Sequence, residues 1–119
     1  MNKHFLFINR KPPYGTLFAK ESLDAVLMAS AFGQHISVLF LDDGVFQLKK
    51  EQNPADLNTK NIAAQLAALN VYDVHDIFVS ATSLTERGLT MDDLAISVKA
   101  LTVSEVSALM AQQDVILSF

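Results

Sequence analysis

His35-Ile36-Ser37-Val38-Leu39-Phe40-Leu41, followed at once by Asp42-Asp43-Gly44, is the stretch on which the fold turns. Its apolar side chains do not alternate with polar ones, so a strand built from it leaves no face for water. Such a strand must be covered on both sides, as in a parallel sheet between two helical layers. The Asp-Asp-Gly that stops it reads as a turn.

The same pattern recurs outward from this run. Phe5-Leu6-Phe7-Ile8 is a short buried strand that ends at a Pro12-Pro13-Tyr14-Gly15 loop. Ile77 to Ser80 predicts a third strand, Ala95 to Val98 a fourth, and Asp114 to Phe119 a last one. Helical patterns separate them. Leu17 to Phe32 is a helix with Gly33 as its stop. After the loop at Asn53-Pro54, Asn58 to Leu69 is a second helix with Asn70 at its end. Ser83 to Arg87 is a helical turn closed by Gly88. Thr102-Val103-Ser104-Glu105 fits a capping box that opens a helix to about Gln112. Strand and helix alternate throughout, without internal repeats. The expectation is an α/β fold: one domain over residues 1–119, a three-layer sandwich of about five mostly parallel strands with helices on both faces.

Composition narrows the function. Half of the 119 residues are apolar and 18% are charged, which is enough oily surface to fold. The net charge is −4, and the basic pairs Arg10-Lys11 and Lys49-Lys50 form no larger cluster, so direct nucleic-acid binding is not expected. No apolar run approaches the roughly 20 residues that span a bilayer. Met1-Asn2-Lys3-His4 leads into no signal-peptide pattern, and the expected location is the cytoplasm. The chain has no cysteine, which excludes disulfides, thiolate metal sites and persulfide chemistry on its own side chains.

The helices point to partners. On the first, Leu23, Val26, Leu27 and Ala31 form one apolar stripe, and Ala25, Met28, Ala29 and Phe32 a second, where a monomer's surface helix needs one. On the second, Ile62, Leu66 and Leu69 face one way, while Ala63, Ala64, Ala67 and Ala68 leave a smooth second face. The last is ordinary, with Val103, Val106, Leu109 and Met110 against Ser104, Glu105, Ser107 and Gln112. Association through the wide apolar faces is expected.

The catalytic inventory is thin. His4, His35 and His75 lie at or near strand starts and are not spaced as metal ligands. Asp42 and Asp43 follow a strand, where paired carboxylates suit Mg²⁺ or acid–base work, but no phosphate-binding loop accompanies them and a turn is the better reading. The loop Asn9 to Thr16 carries Arg10, Lys11, Tyr14 and a single Gly15, with Thr16 placed to cap a helix. No Gly-x-Ser-x-Gly elbow is present. Asp92-Asp93 reads as a solvated turn.

Four segments, taken together, carry a resemblance. They are Pro13-Tyr14-Gly15-Thr16 with Lys20-Glu21-Ser22-Leu23-Asp24-Ala25; Asp42-Asp43-Gly44-Val45-Phe46-Gln47-Leu48; Ala81-Thr82-Ser83-Leu84-Thr85-Glu86-Arg87-Gly88-Leu89; and Asp114-Val115-Ile116-Leu117-Ser118-Phe119. In order and spacing they resemble the DsrE/DsrF-like family over the full length of the chain. The resemblance implies a subunit of a TusBCD-type sulfur relay, a heterohexamer built as a dimer of heterotrimers. Such a complex passes persulfide sulfur from TusA through TusD to TusE, and the sulfur ends as the 2-thio group of wobble uridine in tRNA. It implies TusB-like and TusD-like partners here and an indirect link to TusA-like and TusE-like carriers. The active cysteine sits on TusD just after a strand, and in Val79-Ser80-Ala81 its nearest positional counterpart is Ser80. A serine hydroxyl forms no persulfide. The expectation is a non-catalytic structural subunit with no catalytic, cofactor-binding or metal-ligating residue. Two rivals stand beside it. One is a self-assembling small-ligand-binding α/β protein outside sulfur relay, using Tyr14-Gly15-Thr16 and Asp42-Asp43-Gly44. The other is an enzyme with Asp42 or Asp43 as acid or base.

Overall fold

A computed structural model describes residues 3–12, 18–49 and 67–119. Five strands form one sheet in the order β4-β3-β2-β1-β5, and every pairing is parallel. They are β1 (His4–Asn9), β2 (His35–Phe40), β3 (Asp76–Ser80), β4 (Lys99–Leu101) and β5 (Val115–Ser118). The central pair is β1 and β2, in register from His4↔His35 to Asn9↔Phe40. In β2 every residue after His35 is buried, as the unbroken apolar run requires.

Alternation along the strands divides the core in two. One face gathers Phe7, Ile36, Val38, Phe40, Ile77 and Val79 under Leu23 and Val26 of α1 (Phe18–Ala31). The other gathers Leu6, Ile8, Leu39 and Leu101 under Val106, Leu109 and Met110 of the helix Val103–Ala111. Helices therefore cover both faces, and the three-layer α/β sandwich is present. β1 to β4 step toward one edge, and β5 returns to the far side of β1. The topological switch point lies between β1 and β5, where α/β folds place their ligand crevices. No helix among the described residues is long and apolar enough to cross a membrane.

Several expectations shift. The fourth strand is Lys99–Leu101, not residues 95–98. Leu94 instead bridges Lys49 antiparallel, and the Ala95 amide donates to the Leu48 carbonyl at 2.7 Å. Ile96 and Val98 cover the core from outside the sheet, a task that needs the same apolar residues as a strand. Asp42-Asp43-Gly44 opens a 3₁₀ segment, Asp42–Leu48, where a plain turn was expected. The helix expected from Ser83 is α2 (Ala81–Glu86), because the Ser80 hydroxyl accepts from the Ser83 amide and caps it earlier. The helix Val103–Ala111 is α3. Asp92-Asp93 belongs to a short 3₁₀ turn, Met91–Asp93, held by the Thr90 amide donating to Asp93 Oδ2 at 2.8 Å.

The helix expected over Asn58 to Leu69 lies mostly outside the described residues, and its end is a 3₁₀ segment, Ala67–Tyr72. The Thr16 cap also lies outside them. On α1 the stripes sort differently from the expectation. Ala25 and Ala29 join the core side with Leu27, while Ala31, Met28 and Phe32 are exposed. On α3, Val103 is exposed too. β5 is an open edge on which Ile116 and Leu117 keep 45% and 39% of their surface, so this apolar run is not covered on both sides.

Two outcomes follow. Leu39 is fully buried between β1 and β3, so Leu39→Ala costs about 2–5 kcal/mol in urea unfolding. The expected capping box is present: the Thr102 amide donates to Glu105 Oε1 at 3.0 Å and the Glu105 amide to Thr102 Oγ1 at 3.2 Å. Hydrogen bonds from the Thr102 backbone and then its side chain hold the Glu105 carboxyl below its ordinary value of 4.5. A group depressed in the folded state stabilises above its unfolded value, and that stability is lost as pH falls through the folded one. Melting curves of Glu105→Gln from pH 6 down to about 3 are therefore expected to fall less steeply than those of the unaltered chain.

Candidate functional site

At the carboxyl ends of β1, β2 and β3 the motifs that stood apart in sequence come together. β1 delivers Asn9, Arg10 and Lys11. β2 delivers Leu41 and then Asp42, whose φ of 51° bends the chain sharply away from the sheet. The Leu41 amide donates to the Asn9 carbonyl at 3.0 Å, and the Gly44 amide to the Leu41 carbonyl at 2.9 Å. This folds the start of the 3₁₀ segment directly onto the Asn9–Arg10 peptide. A Cβ on Gly44 would collide with the Asn9 carbonyl oxygen, so only glycine fits. Farther along, buried Gln47 donates from Nε2 to the Lys11 carbonyl at 2.9 Å.

β3 and α2 close the site from the other side. The Asp42 amide donates to Ser83 Oγ at 3.0 Å, and the Ser83 amide donates to Ser80 Oγ at 3.1 Å. Arg87 donates from Nε to Asp43 Oδ1 at 3.0 Å and from Nη1 to the Ser83 carbonyl at 3.2 Å. Arg10 donates from Nε to Asp42 Oδ2 at 3.1 Å. Each carboxylate of the Asp-Asp pair is thus matched to its own guanidinium. In front of them, at the switch point, is a crevice of about 430 Å³ lined by Arg10, Lys11, Phe18, Asp42, Asp43, Ser118 and Phe119. Phe119 stacks on Phe7 at 6.4 Å between ring centroids.

These contacts define what the arrangement can do. The Asp42–Arg10 pair joins the ends of β1 and β2, and the Asp43–Arg87 pair joins the end of β2 to the end of α2, a structural use of the carboxylates. Ser80, 8% exposed, ends β3 and caps α2, so its hydroxyl is engaged in backbone geometry. The histidines lie at the opposite end of the sheet. The rings of His4 and His35 are 4.7 Å apart, His35 Nε2 is 3.1 Å from Asp76 Oδ2, and His75 Nε2 is 3.6 Å from Asp73 Oδ1. Among the described residues, no three His, Cys, Asp or Glu side chains converge to hold a metal ion. Tyr14-Gly15-Thr16 lies outside the described residues. The pairing of Arg87 with Asp43, across 44 positions, had no sequence signal, because a loop arginine looks alike whether it is solvated or paired.

Residues 3–119 match the model of the DsrE/DsrF-like family. The chain is 40% identical to the intracellular sulfur oxidation protein DsrF of Allochromatium vinosum, over 98% of this chain and 96% of that one. It is 40% identical to a protein TusC homolog of Pseudomonas aeruginosa, over 99% of each, and 37% identical to one of Vibrio parahaemolyticus, over 95% and 96%. The crystal structure of the ychN protein from E. coli superposes with a TM-score of 0.82 over 100% of both chains at 22% identity, a likeness of fold.

The close approach at Gly44 sets a test. Gly44→Ala forces the Asn9–Arg10 peptide to move and is expected to cost more than about 2 kcal/mol in urea unfolding. Asp43→Ala, at a half-exposed ion pair, is expected to cost under about 1 kcal/mol in the same measurement.

Proposed function

The chain belongs to the DsrE/DsrF-like family, and from that premise we propose that it is a non-catalytic structural subunit of a TusBCD-type sulfur-transfer complex supporting 2-thiolation of the tRNA wobble uridine. One observation carries this reading: end-to-end likeness to relatives named DsrF and TusC homolog, in a chain with no cysteine. Persulfide relay needs a thiolate at each station, and serine at position 80 supplies none. The chain's contribution is then to hold a groove in shape beside a cysteine-bearing partner. As a single domain over residues 1–119, it would sit with TusB-like and TusD-like subunits in a cytoplasmic heterohexamer, a dimer of heterotrimers. TusA-like and TusE-like carriers would meet it only indirectly.

The site geometry supports a shaping role. Asp42, Asp43, Arg10, Arg87, Ser80 and Ser83 bond to one another across three strand ends. A second reading, a self-assembling small-ligand-binding α/β protein outside sulfur relay, is favoured by the crevice at the β1/β5 switch point. It is the weaker of the two, because the carboxylates lining that crevice already have guanidinium partners. A melting-temperature rise with any member of a nucleotide and metal panel would support it; a flat response sinks it.

The main reading is tested in cells that lack the chain. Loss of 2-thiouridine from tRNA is expected, with full restoration by the unaltered chain and by Ser80→Ala. Failure of a folded, assembled Ser80→Ala chain to restore thiolation would overturn the non-catalytic role. Purification of the native chain with no TusB-like or TusD-like partner would overturn the subunit role.

A further inference from the structure

Large apolar side chains stand exposed on the outer side of α1 and at the end of the 3₁₀ segment Ala67–Tyr72. Met28 in α1 and Phe32 in the turn that follows it are 65% and 76% exposed. Val71 is 81% exposed and Tyr72 50%. Ser30 Oγ donates to the Tyr72 carbonyl at 2.8 Å, tying the last turn of α1 to the end of that segment. Where the two meet is a cavity of about 480 Å³, lined in part by Ser30, Gln34, His35, Tyr72, Asp73 and Asp76.

Two carboxylates, Asp73 and Asp76, and two imidazoles, His35 and His75, line this cavity. α1 ends beside it with no basic residue in its last turn, so the partial negative charge of its carbonyl end is not offset there. The Asp73 side chain is 96% exposed and the Asp76 side chain 48%. Among the described residues, neither lysine nor arginine lines the cavity. Each carboxylate meets one imidazole through one oxygen, Asp76 to His35 and Asp73 to His75. Tyr72, half exposed, also lines the cavity.

The geometry points to a docking surface for a partner subunit of different sequence. Met28, Phe32 and Val71 supply its apolar contact, and the cavity at Tyr72, Asp73 and Asp76 receives an arginine or lysine side chain of that partner. The inference rests on the subunit reading above and names the face that reading leaves open. A basic anchor beside apolar contacts is what the field and the exposed side chains complement. A second copy of this chain fits less well, because a two-fold axis through the cavity sets Asp73 and Asp76 against their own copies and supplies no lysine or arginine from the cavity lining.

The test co-expresses the full chain with the TusB-like and TusD-like chains of its own organism and reads assembly by native mass spectrometry and titration. The variants are Phe32→Ser, the double variant Asp73→Asn/Asp76→Asn, and Val103→Ser as a control on the opposite face of the sheet. Asp73 has φ 61°, a conformation asparagine accepts, so the double variant keeps its fold, checked by melting temperature. Unaltered chain and Val103→Ser are expected to assemble alike. Phe32→Ser and the aspartate double variant are expected to weaken assembly by at least about tenfold, and the double variant to flatten its salt dependence. Affinity retained in either of these variants, with the unaltered chain assembling, overturns this surface and leaves the subunit reading standing. Failure of the unaltered chain to assemble overturns both. A homodimer that Phe32→Ser abolishes overturns the assignment to a different chain.

Discussion

The pairing of β1 with β2 is the constraint from which the rest of the structure follows. Six residue pairs lie in parallel register, and apolar side chains from them are buried on both faces of the sheet: Phe7, Ile36, Val38 and Phe40 on one, Leu6, Ile8 and Leu39 on the other. Neither face can be left to water, so each must be roofed. Covering Leu39 and Phe40 removes two large side chains from solvent in opposite directions, each worth about 1.5–3 kcal/mol. Parallel pairing also requires long crossovers, and among the described residues α1, between β1 and β2, and α3, between β4 and β5, roof the two faces. One physical demand thereby fixes layer number, strand direction and helix placement.

The roofing is unequal, and the surface reflects that. Beneath α1 the core is broad, reaching Val45, Leu48, Leu69, Leu84 and Leu94. The opposite face rests on the nine residues of α3. Apolar residues left over appear at the rims, on β5, on the outer side of α1 and at Val71–Tyr72.

Polar side chains at the carboxyl edge are engaged in architecture. Gly44 lets one backbone segment press onto another, Ser80 starts a helix, and two arginines neutralise adjacent aspartates. Relatives of this chain carry names from sulfur chemistry, and the chain itself has no cysteine. At this edge the Asp42, Asp43, Ser80 and Ser83 side chains bond to neighbouring groups of the chain itself.

Pattern and composition were enough to determine the α/β class, the parallel sheet, the capping box at Thr102 and the exclusion of thiol chemistry, because these depend on local periodicity and on side-chain identity. The same apolar spelling misplaced the fourth strand: Ile96 and Val98 are needed to cover the core whether or not they pair in the sheet. It could not sort the stripes of α1 either, since Ala29 and Ala31 are identical side chains on one helix and only packing decides which meets the sheet. The Asp42–Arg10 and Asp43–Arg87 pairs, the steric need for Gly44 and the cavity beside Tyr72 join residues far apart along the chain. Contacts of that range leave no periodic trace in sequence, and only the folded chain, by bringing strand ends to one edge, brings them into being.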